Sequence, residues 1–440
     1  MILLIALVVV VVLMVIAAAK YHFHPFLSLL LAAIVMGFVG GLNETEVTTA
    51  LMNGFGKTLG SIGIIIAFGT IIGAYLEKSG GAMAMANRVL KWVGERNSTL
   101  AMNITGFIVS IPVFCDSGFV ILSSLNKALS KKTKTPLVVL GVSLAAGLYA
   151  THVFVPPTPG PLAAAAALDA DLGLVIILGL IVAIPVSLAG FFWAKFIGKK
   201  FGGALSKDVI TGTTNEKLPS TSLSFAPIII PIVLIALKSI VNYPTHPLGE
   251  GTIAGILNFA GNPIIALFAG VFLAFKLKSK NSEETHFNWV ASGLKEAGII
   301  ILITGAGGAF GAILRATGIG DIIGSSFSGL QVGLLLPFLI AAVLKSAQGS
   351  STVSIITTAA IIAPLLESFG LATPLGRALT VLSVGAGAMT VSHLNDSFFW
   401  VVAQFTELDT ATALKSQTVS TFLQGLTGII IVMIIGWIFI

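Results

Sequence analysis

Long apolar runs alternate with short polar connections along the whole chain, and the runs are apolar on every helical face rather than on one stripe. They fall at about Ile2–Ala19, Phe26–Leu42, Gly60–Leu76, Leu137–Leu168, Leu172–Phe196, Phe225–Ile240, Pro263–Phe275, Ala297–Leu314, Leu379–Phe405 and Val419–Ile440. About 20 residues of helix cross the roughly 30 Å hydrocarbon core of a bilayer. The pattern therefore predicts an all-α integral membrane protein with about ten full spans. A β-barrel is excluded, because Ile2–Ala19, Leu174–Ala194 and Gly428–Ile440 lack the apolar and polar alternation of barrel strands.

Two runs do not fit a simple crossing. Ala101–Leu129 and Gln331–Leu366 are interrupted at their centres, by Cys115-Asp116-Ser117-Gly118 and by the stretch from Lys345 to Thr352. The legs on either side are about 13 to 15 residues, roughly 20 Å as helix, which is too short to span. Both read as re-entrant hairpins. Non-helical backbone at membrane depth survives only inside protein or facing a water-filled cavity, so the two tips nominate a binding site.

Two of the full-length runs are also broken. His152 is followed by Val155-Pro156-Pro157-Thr158-Pro159-Gly160-Pro161, and prolines remove helix donors and clash with the preceding turn. The second break is His393-Leu394-Asn395-Asp396-Ser397. A discontinuous helix frees carbonyls and presents a half-helix N-terminus that attracts a carboxylate.

The halves of the chain resemble each other. Ile64–Ser79 and Ile300–Thr317 are both glycine-spaced and end in a Leu before charge. Each is followed by an amphipathic stretch, a hairpin, and a long helix that reaches Thr151-His152 or Ser392-His393. The Lys clusters at 127–134, 195–207 and 276–280 can all be cytoplasmic, with an even number of crossings between them. The first hairpin then enters from the cytoplasm and the second from outside. A duplicated unit of opposite orientation is an inverted repeat, the architecture of secondary transporters. The expected division is 1–100 scaffold, 101–196 transport part, 197–330 cytoplasmic linker and scaffold, and 331–440 transport part.

Composition agrees: 56% of residues are hydrophobic and 10% charged, against about 25% charged in soluble domains. The net charge of +6 sits in loops and fits an anionic leaflet, not nucleic acid. A single Cys115 excludes a disulfide framework, and no metal or cofactor motif is present. Gly56-Lys57-Thr58 lacks the first glycine of a phosphate loop, having Leu51 there, and Phe310 breaks the dinucleotide spacing of Gly305-Ala306-Gly307-Gly308, so close helix packing explains those glycines. The first apolar run has no charged n-region and exceeds a usual h-region, so it is expected to be a span rather than a cleaved signal.

Candidate site residues follow from the breaks. Asp116, with Ser117 and Gly118, must be paired, protonated or hydrated at that depth; it either caps the second leg or serves as a proton or substrate-hydroxyl partner. His152, with Pro157 and Thr158, and His393, with Asn395 and Asp396, occupy equivalent places in the two halves, where each histidine is either a satisfied core residue or a functional one. Asp396 could cap the following helix or take a proton. Lys345 could pair with Asp116 or Asp396, or meet an anion directly. Ser346, Gln348, Ser350 and Ser351 add hydroxyls and an amide suited to a hydroxylated ligand, or simply pack the legs.

The sequence resembles the gluconate permease family through Ile111–Phe119, through Thr151-His152 with Pro156–Pro161, through Gly349-Ser350 with Thr352-Val353, and through Ser392-His393 with Asn395-Asp396 to Phe399-Trp400. The likeness covers essentially the whole chain. It implies a proton-coupled carrier of gluconate or a related small hydroxycarboxylate in the cell (inner) membrane, working as an elevator on a homodimeric scaffold, with no cofactor. The chain differs from the usual family pattern at Cys115-Asp116-Ser117, Thr158 and Ser397-Phe398, so fructuronate, glycerate and hydroxybutyrate stand beside gluconate. Sodium coupling is the alternative, and an intramembrane hydrolase using Asp116 and Asp396 is a remote one.

Overall fold

The computed structural model describes residues 2–21, 23–201, 218–242, 251–277, 284–319, 333–394 and 396–439. Every regular element among them is helical. Most of the 197–224 linker, including Lys207, and Lys278 and Lys280 of the third basic cluster lie outside the described residues.

Two long helices form one body. Glu44–Lys78 starts at a capping box, in which Asn43 accepts from the Glu46 N–H and Glu46 accepts from the Asn43 N–H. It lies along His286–Ala316. The two approach at backbone distance, since a Cβ at Gly54 would sit 2.6 Å from the Gly308 carbonyl and one at Gly308 would sit 2.0 Å from Thr58 Oγ1. Helix packing is thus what Gly308 serves.

The first hairpin is Ser98–Val109 and Cys115–Thr133, joined by residues 110–114. Its turn lies earlier than the sequence reading placed it: Cys115-Asp116-Ser117-Gly118 form the first turn of the second leg. That leg has 19 residues, close to 28 Å, rather than 13 to 15. The lysine-rich end carries the helix on past the apolar stretch, and Pro112 with a Ser110 hydroxyl bond to the Val113 carbonyl (3.0 Å) fixes the turn. The second hairpin matches its reading: Leu335–Gln348 and Ser351–Ile362, 14 and 12 residues, turn at Gly349, whose φ of 79° suits glycine, and Ser350 caps the Val353 N–H at 3.3 Å.

Both breaks are present. Leu137–Phe154 is buried on all faces and stops before Val155–Thr158, after which Pro159–Ala167 resumes. Pro374–Met389 ends at a non-helical stretch that includes Val391 at φ 59°, and Ser397–Phe405 resumes.

The contacts recur in the same order in each half. The first leg of each hairpin packs on the broken helix that follows it, and each broken helix packs on a long helix, Leu172–Phe201 or Val419–Phe439. The halves also interlock, because Pro159–Ala167 lies on the second hairpin's Ser351–Ile362 while Ser397–Phe405 lies on the first hairpin's Cys115–Thr133.

By length and apolar composition, five described helices can cross a membrane, or up to seven if each of two bent pairs is one span, against the ten expected. Two of the expected spans fall short for local reasons. Gly40 and Gly41 end Pro25–Val39 at 15 residues, and the second break divides Leu379–Phe405.

Candidate functional site

The centre of the site is an ion pair. Lys345 Nζ lies 2.6 Å from Asp396 Oδ2, and their side chains are 1% and 4% exposed. Lys345 sits in the last turn of the second hairpin's first leg, where it also donates to the Gly349 carbonyl. Asp396 is the N-cap of Ser397–Phe405, with Oδ1 accepting from the Phe398 N–H at 3.1 Å and Oδ2 also accepting from the Ser392 hydroxyl. Of the alternatives the sequence left open for Lys345, the fold selects Asp396. The carboxylate is satisfied by charge, hydroxyl and backbone together, as a buried charge must be.

Beside this pair lies a cavity of about 380 Å³, within the range of small-molecule sites. The first hairpin contributes Phe114, Cys115 and Asp116 to it, and the broken helix contributes Tyr149 and His152. The second hairpin contributes Gly349–Val353 and Ile356, the second break Asp396–Phe398, and helix His286–Ala316 contributes Ile299, Ile300 and Ile303.

Asp116 has one oxygen engaged and one not. Oδ2 accepts from the Ser397 hydroxyl at 3.1 Å, a contact between the two halves of the chain, while Oδ1 is buried with no partner among the described residues. Asp116 lies inside the first helical turn, after Phe114 at the N-cap, so it faces the positive end of its helix without capping it. His152 is 5% exposed, and its Nδ1 also has no partner among the described residues. Its ring stacks near-parallel to Tyr149 at 6.4 Å and lies 5.9 Å from Phe114. Ser350, Ser351 and Thr352 line the wall where Ser351–Ile362 begins, and the N–H groups of the first helical positions have no acceptor within a helix.

The other expected residues hold the frame. His393 Nε2 donates to the Ser346 carbonyl at 2.9 Å, joining the second break to the second hairpin. Thr158 turns its hydroxyl to the Val155 carbonyl at 2.6 Å, and Pro157 sits over Gly69, so neither is among the lining residues. A Cβ at Gly118 would meet Leu148 at 2.8 Å. Ser117 lies in the first turn of Cys115–Thr133 and is not among the lining residues. Asn395 and the Gln348 side chain lie outside the described residues.

Several contributions were not anticipated, among them Tyr149, Ser392, Ser397 and the isoleucines of His286–Ala316. Tyr149 precedes His152 by three positions on one helix, a spacing that puts them on one face, so it could have been found. Nothing local distinguishes Ile299, Ile300 and Ile303 from lipid-facing residues. Among the described residues no group of three or more His, Cys, Asp or Glu is placed to hold a metal.

A helical membrane protein in which two hairpins, a broken helix and a second helix break meet at a cavity lined by carboxylates, hydroxyls and a histidine has the construction of a solute carrier. The GntP family permease model matches residues 1–438, and the chain belongs to that family. It is 38% identical over 397 residues to an uncharacterized permease of Haemophilus influenzae, covering 86% of this chain and 80% of that one. It is 32% identical over 426 residues to a gluconate permease of Pseudomonas aeruginosa, covering 95% and 94%. To a D-serine transporter of Escherichia coli it is 33% identical over 420 residues, covering 93% of each. Among solved structures, the Alcanivorax borkumensis YdaH transporter superposes with a TM-score of 0.61 at 13% identity over 90% of both chains, a likeness of fold. The chain is a multi-pass membrane transporter, not an enzyme.

Proposed function

We propose that this protein imports a small hydroxycarboxylate, of the class that includes gluconate, across the cell (inner) membrane together with a proton. The observation that carries the reading is the cavity between the two hairpins, with a half-helix N-terminus at Ser350–Thr352 on one side and, on the other, Asp116 Oδ1 and His152 Nδ1, which have no partner among the described residues. The N-terminus suits the carboxylate, and His152 and Ser351 are placed to reach hydroxyls. Asp116 is the first choice for coupling, since Asp396 is already satisfied by Lys345, Ser392 and the Phe398 N–H. The gluconate permease among the relatives supports the acid, and the D-serine transporter is a reason to test an amino acid beside it.

Movement follows an elevator in this reading, with 101–196 and 331–440 as one body sliding on a homodimeric scaffold made by the rest. Support comes from the recurring contact order, which is what an inverted repeat requires, and from two glycine pairs. Counted back from Leu76 and Leu314, glycines stand three and seven positions earlier: Gly73 and Gly69, Gly311 and Gly307. The first pair faces Pro112 and Pro157, and the second faces Ile356 and Ala360. Bare backbone at the boundary lets one body pass close along the other.

The test is uptake of labelled gluconate, 3-hydroxybutyrate and D-serine into proteoliposomes under an imposed pH gradient or sodium gradient. Accumulation of an acid driven by the pH gradient is the expected result. Accumulation driven by sodium alone would transfer the coupling to the cation, and accumulation driven by neither would end the symport reading.

A further inference from the structure

The cavity has two unlike walls. Its polar side chains come from the hairpins, the first broken helix and the second break, and two of them, Tyr149 and Asp396, are already engaged, with the Ala388 carbonyl and with Lys345 and Ser392. The wall contributed by helix His286–Ala316 consists of Ile299, Ile300 and Ile303, and no other residue of that helix lines it. Ile356 of the second hairpin continues the aliphatic surface. Ile303 and Ile356 are 6% and 3% exposed, so packing holds them in place. The nearest hydroxyl on the same helix, Thr304, is spent on the Ile300 carbonyl at 2.7 Å.

We infer that this aliphatic wall makes the site selective for short hydroxycarboxylates with an apolar end, of the hydroxybutyrate kind, over polyhydroxy hexonates, and that Ile300 and Ile303 set that preference. The inference rests on the transport reading above and narrows its substrate. A carboxylate at the Ser350–Thr352 turn and a hydroxyl toward Asp116 or His152 use the polar wall. What remains of the ligand must then face isoleucine. A methyl end is favoured there by burial, whereas the chain hydroxyls of gluconate would be stripped of water without a replacement partner. Discrimination of this kind, in which buried polar groups go unpaired, is stronger than discrimination by size alone.

The experiment is competition against labelled 3-hydroxybutyrate uptake in proteoliposomes, with unlabelled 3-hydroxybutyrate, glycerate and gluconate as competitors. Gluconate should need a concentration at least roughly tenfold above that of 3-hydroxybutyrate for half-inhibition, with glycerate between them. Ile303→Ser should move that ratio toward gluconate by about tenfold. Because Ile303 is buried, the half-buried Ile300→Thr is the companion variant, and size-exclusion and melting profiles identify which of them fold. Equal competition by gluconate in the unmodified protein, or an unchanged ratio in a folded variant, overturns the inference while leaving hydroxycarboxylate transport standing. Absence of uptake and of competition with every acid overturns the transport reading, and this inference with it.

Discussion

At the scale of single residues, Lys345 and Asp396 divide the labour with Asp116. The ion pair is shut away from solvent and tied into both the second hairpin and the second break. Removing one partner leaves the other charge buried and unpaired, a loss of roughly 3–5 kcal/mol. Lys345→Met should therefore lower the melting temperature sharply in detergent, and Lys345→Met with Asp396→Asn should recover much of it. A double variant no more stable than Lys345→Met would show that the pair is not the tie between the elements. Asp116 differs in having Oδ1 free of partners among the described residues. Asp116→Asn mimics the protonated acid, so it should retain substrate binding and exchange while losing accumulation against a gradient. Full proton-driven accumulation by that variant would remove Asp116 from coupling and move the choice to Asp396, then to His152 and His393.

At the scale of elements, the glycines separate contacts within each proposed body from contacts across the proposed boundary. A Cβ at Gly147 would lie 2.0 Å from the Asn103 carbonyl, inside the body formed by the first hairpin and the first broken helix. A Cβ at Gly73 would lie 2.6 Å from the Pro112 carbonyl, across the proposed boundary. Overpacking inside a fixed body costs about 1–3 kcal/mol of stability, whereas at a boundary between bodies that can shift, the added methyl is relieved by displacement and hinders the movement instead. Gly147→Ala should lower stability and yield. Gly73→Ala should cut the uptake rate at nearly unchanged stability, and Gly56→Ala, which meets nothing within 4 Å, should change neither. Loss of stability at Gly73→Ala equal to that at Gly147→Ala would place Gly73 in a fixed interface.

At the scale of the whole molecule, the division into two bodies can be tested directly. A Cβ built at Gly307 lies 3.8 Å from Ala360 Cβ, the separation a disulfide prefers. Cysteines at both positions, on a Cys115→Ala background, should crosslink and stop uptake without abolishing binding, and reductant should restore uptake. Undiminished turnover by the crosslinked protein would rule out sliding of the second hairpin along helix His286–Ala316. The same scale explains how the halves depend on each other. Asp116 reaches Ser397 across 281 residues of chain, so neither half completes the site alone.

The helical membrane character, the two hairpins, the two breaks and the residues at them were legible in the sequence, because each depends on local properties of the chain. Long apolar runs have to cross or bury, and prolines or a polar cluster inside them have to interrupt the helix. The position of the first hairpin's turn was misplaced by a few residues for the same reason: Asp116 and Ser117 look like a tip in isolation, yet helix starting at Cys115 absorbs them. Tertiary structure alone decided which acid meets Lys345, which oxygen of Asp116 has no partner among the described residues, and that isoleucines of helix His286–Ala316 line the cavity. Those outcomes depend on distances between segments 51 to 281 residues apart. A carboxylate's neighbours and an isoleucine's surroundings are set by packing, and no periodicity along the chain encodes them.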